Sequence, residues 1–130
     1  MTLERNADYL ISLVRELCKL PAETPWLEVK HNNAEPQEIG EYLAALSNAA
    51  AMDGKSNAYL VWGVSDKTHE IVGTTFKPHS AKKGNEELES WLLRLLSPRL
   101  HFRFHAFEVD GKPLVLLEIP SAHSKPTTFE

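Results

Sequence analysis

Leu43-Ala-Ala-Leu46-Ser-Asn48-Ala-Ala-Ala51-Met52-Asp-Gly54-Lys-Ser-Asn57-Ala58-Tyr-Leu-Val-Trp62-Gly63-Val64-Ser-Asp66-Lys-Thr-His-Glu70-Ile-Val-Gly73 is the stretch that decides the fold. It reads as the end of a small-residue helix, a glycine turn, a buried strand, an acidic turn and a short return strand. Tyr59 to Val64 is rich in β-branched and aromatic residues, short, and bounded by turn formers, as a central strand is. The alanines at 44, 45, 49 and 50 let the preceding helix lie close on the sheet.

Working outward, Leu3 to Leu20 predicts a first helix, with Leu10, Leu13, Val14 and Leu17 on one face and Pro21 as its stop. Trp26 to Lys30 alternates like a strand. Pro36 to Ala51 predicts a second helix, capped by Asn33 or Glu35, with Ile39, Leu43, Leu46 and Ala50 inward. Strands Ala58–Val64 and Glu70–Gly73 should form a hairpin. Asn85 to Ser97 predicts a third helix, with Asn85 as cap, glutamates in its first turn and Leu88, Trp91, Leu92, Leu95 and Leu96 as its apolar face. Leu100–Val109 and Leu114–Ile119 flank Asp110-Gly111, a strong hairpin signal. The expected order is α-β-α-β-β-α-β-β, an α+β domain with a mixed β-sheet packed by about three helices over residues 1–130.

Composition narrows the function classes. The chain has 130 residues and a net charge of -4, so bulk attraction does not bring it to nucleic acid, and any such contact must be a local patch. Its single cysteine, Cys18, excludes an internal disulfide or a cysteine-based zinc cluster, and reads as buried and inert. No secretory signal is visible, and no segment approaches the about 20 apolar residues that span a bilayer. No membrane partner and a cytoplasmic location are expected.

Two constellations carry chemistry. Glu28 and Lys30 are two apart on a strand and share a face. A carboxylate beside a cation is what a metal-dependent nuclease uses to hold Mg²⁺ or Mn²⁺ and steady developing charge. Glu23 precedes the pair, and Asp66 ends the central strand. The competing reading is a structural Glu28–Lys30 ion pair and a turn built on Asp66. The second constellation is basic. Arg99, His101, Arg103 and His105 alternate with Leu100, Phe102, Phe104 and Ala106, so period two places the four basic groups on one face. Lys77, Lys82 and Lys83 in the preceding loop and Lys67 in the hairpin turn extend a surface suited to phosphates, with no base code. The competing reading is a solvated sheet face. Asp53-Gly54-Lys55-Ser56 ends like a phosphate loop, but the required earlier glycine is Ala49 and the order is helix to strand, so no ATP is expected there.

The Glu28-Val29-Lys30 strand, the helix ending in Asn48 among alanines, the Gly63-Val64-Ser65-Asp66 strand end and the Ile71-Val72-Gly73 closure together resemble the Schlafen/AlbA-2 domain family. The chain departs from it in the polar turn Asp53–Asn57, where the family has a Gly-Gly pair. The resemblance implies a nucleic-acid (DNA)-binding domain of a bacterial transcriptional regulator, with no cofactor required. For the nuclease branch of the family it implies a metal-dependent ribonuclease triad that maps to Glu23, Glu28 and Asp66, with Lys30 assisting and Mg²⁺ or Mn²⁺ bound. Ser121 to Phe129 leads, in the family, into a further strand that this chain lacks. The chain is therefore expected to be the N-terminal part of a longer protein. A sheet edge left open there would suit a protein-interaction or dimerisation module, with a second copy as partner.

Overall fold

The computed structural model describes residues 6–22, 24–122 and 124–130. At its centre lies a four-stranded sheet in the order β1-β2-β7-β6. Its strands are β1 (Leu27–Lys30), β2 (Asn57–Trp62), β6 (Arg103–Val109) and β7 (Lys112–Pro120). β1 runs parallel to β2, and the other two contacts are antiparallel, which makes the sheet mixed as expected. Small two-stranded pairs join β3 (Lys82–Lys83) to β4 (Glu86–Glu87), and β5 (Leu96–Ser97) to β8 (Thr128–Phe129).

Helices cover both faces of the sheet. On one face, Val14 and Leu17 of α1 (Ala7–Leu17) pack on Leu27, Val29, Val61, Val64, Leu114 and Leu116. On the other, α2 (Pro36–Met52) and α3 (Leu88–Leu95) bring Ile39, Leu43, Leu46, Leu88 and Leu92 onto Leu60, Trp62, Val115 and Leu117. Double coverage explains why β2 and β7 read as continuous apolar runs: alternate residues serve opposite layers. The Asp110-Gly111 turn has φ of 52° and 78°, both left-handed, as its tight hairpin demands.

Local chemistry sets the element ends. The Asn6 side chain accepts from the Tyr9 amide and caps α1. Glu35 caps α2, accepting from the Gln37 and Glu38 amides, while Asn33 accepts from the Glu35 amide. The first helix is shorter than Leu3–Leu20, and Leu3 to Arg5 lie outside the described residues.

Three expectations change. Asn85 does not cap the third helix. Gly84, at φ 63°, turns the chain into a small hairpin with Lys82 opposite Glu87 and Lys83 opposite Glu86, and the Glu86 carboxylate accepts from Arg94 at 2.9 Å instead of serving the helix end. The return strand Glu70–Gly73 shrinks to one bridge, Val64 to Ile71. The Val72 and Gly73 amides both reach the Gly63 carbonyl, which makes a turn and leaves no ladder. The open sheet edges are β1 and β6, while the last strand β8 finds its partner in β5.

The C-terminal segment is held on the helices. The Asn48 amide donates to the Thr127 carbonyl and its oxygen accepts from the Thr127 amide, each at 2.9 Å. The Phe129 ring lies on Gly40, where a Cβ would meet it, and makes an edge contact with Trp91.

Candidate functional site

β1 and β2 are parallel and end side by side, and the loop after β2 carries Asp66 and His69. Glu28 of β1, Asp66 and His69 line a small cavity of about 70 Å³, closed by Pro21, Ala22, Leu27 and Val29. Burial pushes the Glu28 carboxyl above its ordinary value. Lys30 opposes that rise, and the charges of Asp66 and Glu38 add to it. Of the expected triad, Glu28 and Asp66 are thus brought together, and Glu23 lies outside the described residues. Two carboxylates with room for substrate oxygens suit a hard divalent cation. Among the described residues no three His, Cys, Asp or Glu side chains stand close enough to form a cation cage of their own.

Lys30 is engaged elsewhere. Its Nζ donates to Glu38 Oε1 at 3.0 Å and stands 4.9 Å from the centre of the Tyr42 ring. Burial would lower its pKa, and the hydrogen bonds to Glu38 and Tyr42 outweigh that and raise it. The expected assisting cation is therefore committed to α2.

His69 was not visible in the sequence reading. Its backbone is left-handed at φ 60°, a conformation that His, Asn and Asp adopt more readily than other non-glycine residues. Its Nδ1 lies 3.2 Å from the Cys18 carbonyl; a carbonyl only accepts, so Nδ1 carries the proton and Nε2 is left for another partner. Turn propensity says nothing of this contact, because Cys18 is 51 residues away in the chain. Burial raises the Cys18 thiol, which stays protonated and unreactive.

A charge held above its ordinary pKa destabilises the fold once it ionises. Folding binds more protons at Glu28 than unfolding does, so stability falls as pH rises through the window just above the unfolded glutamate value. Glu28→Gln is expected to raise the melting temperature at neutral pH and to leave it unchanged in acid. Thermal melts at both pH values check this, and equal shifts at the two would count against it.

The basic residues separate into groups. Arg99, His101 and Arg103 are exposed, and no hydrogen bond or ion pair claims them among the described residues. Arg103 lines a groove of about 430 Å³ with Phe102, Ala106, His79 and Glu89. His105 reaches the floor of the same groove but is mostly buried. α1 crosses its face of β6, and its Nε2 lies 3.0 Å from Glu118, with only 9% of the side chain exposed. Lys77 is exposed beside a second groove of about 480 Å³ that shares His79 and Ala106 with the first. Lys82 and Lys83 face glutamates across their hairpin, and His79 pairs with Glu89 at 3.3 Å. Lys67 sits in the turn that carries Asp66, at the opposite end of the sheet from Arg103.

None of the described helices is long and apolar enough to cross a membrane. The N-terminal domain of a RecG-related protein from Nitrosomonas europaea, solved by solution NMR, is similar to the chain with a TM-score of 0.60 and 24% identity, over 92% of this chain and 75% of that one. The crystal structure of the DIP2311 protein from Corynebacterium diphtheriae is similar at a TM-score of 0.53 and 15% identity, over 94% of this chain and 27% of that one. At these identities the likeness shows a shared fold, and the chain spans about a quarter of the second protein. No curated protein matches it. The Schlafen, AlbA_2 family matches residues 23–130, from the approach to β1 through β8 and leaving only α1 and the loop after it outside, so the chain belongs to the Schlafen AlbA_2 family.

Proposed function

We propose that this domain binds nucleic acid, in the setting of a bacterial transcriptional regulator, through Arg99, His101 and Arg103 with Lys77 beside them. The observation that carries the reading is that these three side chains are exposed and have no ion-pair partner among the described residues, within a chain of net charge -4. Cations already satisfied by carboxylates have little to offer a phosphate; free guanidinium groups release counterions when they meet one. Phe102, half-buried at the rim of the same groove, offers a ring face for an unstacked base. Lys82 and Lys83 are exposed in the small hairpin and extend the surface, and His105 is turned to Glu118. The RecG-related neighbour, whose name ties it to a DNA helicase, points the same way.

A second reading is favoured by one observation: Glu28, its carboxyl raised, shares a cavity with Asp66. In a Mg²⁺- or Mn²⁺-dependent ribonuclease, Glu23, Glu28 and Asp66 would hold the metal, which would supply the charge that stabilises a cleaved phosphodiester.

One experiment separates the two. Labelled single-stranded RNA and duplex DNA are titrated with protein in Mn²⁺ and in EDTA across a salt series. Binding is expected to weaken steeply with salt, and Arg99→Ala with Arg103→Ala should reduce the log–log salt slope by roughly 1.5–2. Unchanged affinity in that double variant would remove the patch. Cleavage that needs Mn²⁺ and disappears in Glu28→Ala would establish the second reading.

A further inference from the structure

His69 lines two cavities. One is the small Glu28–Asp66 pocket. The other is an open groove of about 450 Å³ between the end of α1, the loop after β2 and the β6–β7 hairpin, whose lining sets the cations Arg15, Lys19 and Lys112 against the acids Glu70 and Asp110, with His69 among them. The two spaces therefore adjoin at one imidazole, and both lie where β1, β2 and β6 reach their carboxyl ends, the place where open sheets with parallel strands take ligands.

We infer that the phosphodiester backbone of a single-stranded polynucleotide lies in this groove, with phosphates held by Lys19 and Lys112 and the strand passing over His69 toward Glu28 and Asp66. The inference rests on the nucleic-acid reading above and adds a second contact surface, at the other end of the sheet from Arg99 and Arg103.

The charges in the groove are available. Lys19 pairs with Glu16 one helical turn away, but the two side chains are 75% and 72% exposed, and such a pair is worth too little to resist a phosphate. Arg15 reaches Asp110 at 3.3 Å across the groove, again between exposed groups, which places a guanidinium at the rim. Lys112 donates to the Ile71 carbonyl and keeps its full charge, because that partner is neutral. His69 holds its Nδ1 proton on the Cys18 carbonyl, so Nε2 is an acceptor, suited to a 2′-hydroxyl proton, and the phosphates fall to the cations. Among the described residues the lining has no Phe, Tyr or Trp ring for a base to stack on, so recognition falls chiefly on the backbone. At about 70 Å³ the inner pocket takes a phosphate oxygen or a cation but not a base, so the strand bends past it. α1 and the turn after it, which lie before the residues that match the family, supply Arg15, Cys18 and Lys19 to the groove.

The test measures anisotropy of a short fluorescent oligouridylate and of its oligothymidylate counterpart with the whole chain. It compares wild type, Lys19→Ala/Lys112→Ala and Arg99→Ala/Arg103→Ala in EDTA, with a thermal melt of each. The groove variant is expected to bind about tenfold more weakly, with a salt slope shallower by roughly 1.4. Should Lys112→Ala loosen the hairpin, Lys19→Ala alone, on a freely exposed side chain, must still weaken binding. Loss on RNA alone would assign the groove to the 2′-hydroxyl, and equal loss on both to phosphate. Wild-type affinity in the groove variants, with loss in Arg99→Ala/Arg103→Ala, overturns the groove and leaves the first surface standing. A wild-type chain that binds neither strand overturns both.

Discussion

Trp62→Ala is expected to cost about 3–5 kcal/mol of folding free energy, the largest effect of any single truncation considered. Trp62 is fully buried at the end of β2. Its ring sits 4.7 Å from Phe76 and 6.1 Å from Phe104, centre to centre, so it ties the loop after β2 and the edge strand β6 to the α2–α3 layer. Its indole N–H donates to the Asn33 carbonyl at 2.8 Å. Removing it opens a cavity lined by leucines and phenylalanines that cannot collapse, and it orphans that carbonyl. Domains of this size are stable by about 5–15 kcal/mol, so the variant should lose a large share of its stability. Trp62→Phe keeps most of the packing and loses only the hydrogen bond, and it should cost about 1–2 kcal/mol. Urea titrations of the two variants give the comparison, and equal losses would mean that the hydrogen bond and not the packing dominates.

The second large effect is expected at Asn48. One amide side chain satisfies both backbone groups of Thr127, which is 2% exposed. Asn48→Ala leaves a buried N–H and a buried C=O without partners, each costing about 1–3 kcal/mol. The loss should concentrate in the C-terminal segment. Hydrogen exchange at Thr127 and at the β5–β8 pair should then accelerate by more than exchange in β2 or β7. Asn48→Asp is the sharper variant. It keeps an acceptor for the Thr127 amide but sets a carboxylate against the Thr127 carbonyl. It should therefore be at least as damaging as alanine at neutral pH, and it should recover when the acid is protonated. Uniform acceleration across the sheet would show that the segment is not a separate unit.

Both effects bear on function through position. Trp62 anchors the end of β2, four residues before Asp66, and the Trp62–Phe76–Phe104 cluster backs the strand that begins at Arg103. The carboxylate pocket and the exposed arginines thus hang from one aromatic core, so loss of that core should weaken both sites together. The Asn48 clamp lies apart from the carboxylate pocket but holds Thr127 on the Pro98 carbonyl, next to Arg99, so its variants should disturb the arginine surface and leave the pocket intact at temperatures where they remain folded.

Periodicity, turn chemistry and capping residues were enough to place all three helices and the four main strands, with ends moved by a few residues. The Asp110-Gly111 hairpin and the Glu35 cap are local matters, decided by φ and by a side chain reaching its own backbone, and they were legible for that reason. So was the family, since its motifs are short words in a fixed order. What a side chain meets across the fold was not legible. Alternation put Arg103 and His105 on one face, and they share it, but only the packing of α1 decided that this face would be covered at His105 and open at Arg103. Strand spacing paired Glu28 with Lys30, and α2 then supplied Glu38 and Tyr42 to claim the lysine. His69 looked like a turn residue until the end of α1 brought a carbonyl to its ring. The sequence by itself determined the elements and their apolar faces, because those follow from bonds and repeats within a few residues. The tertiary structure alone decided which charges are spent on the fold and which remain for a ligand, because that depends on groups tens of residues apart meeting in space.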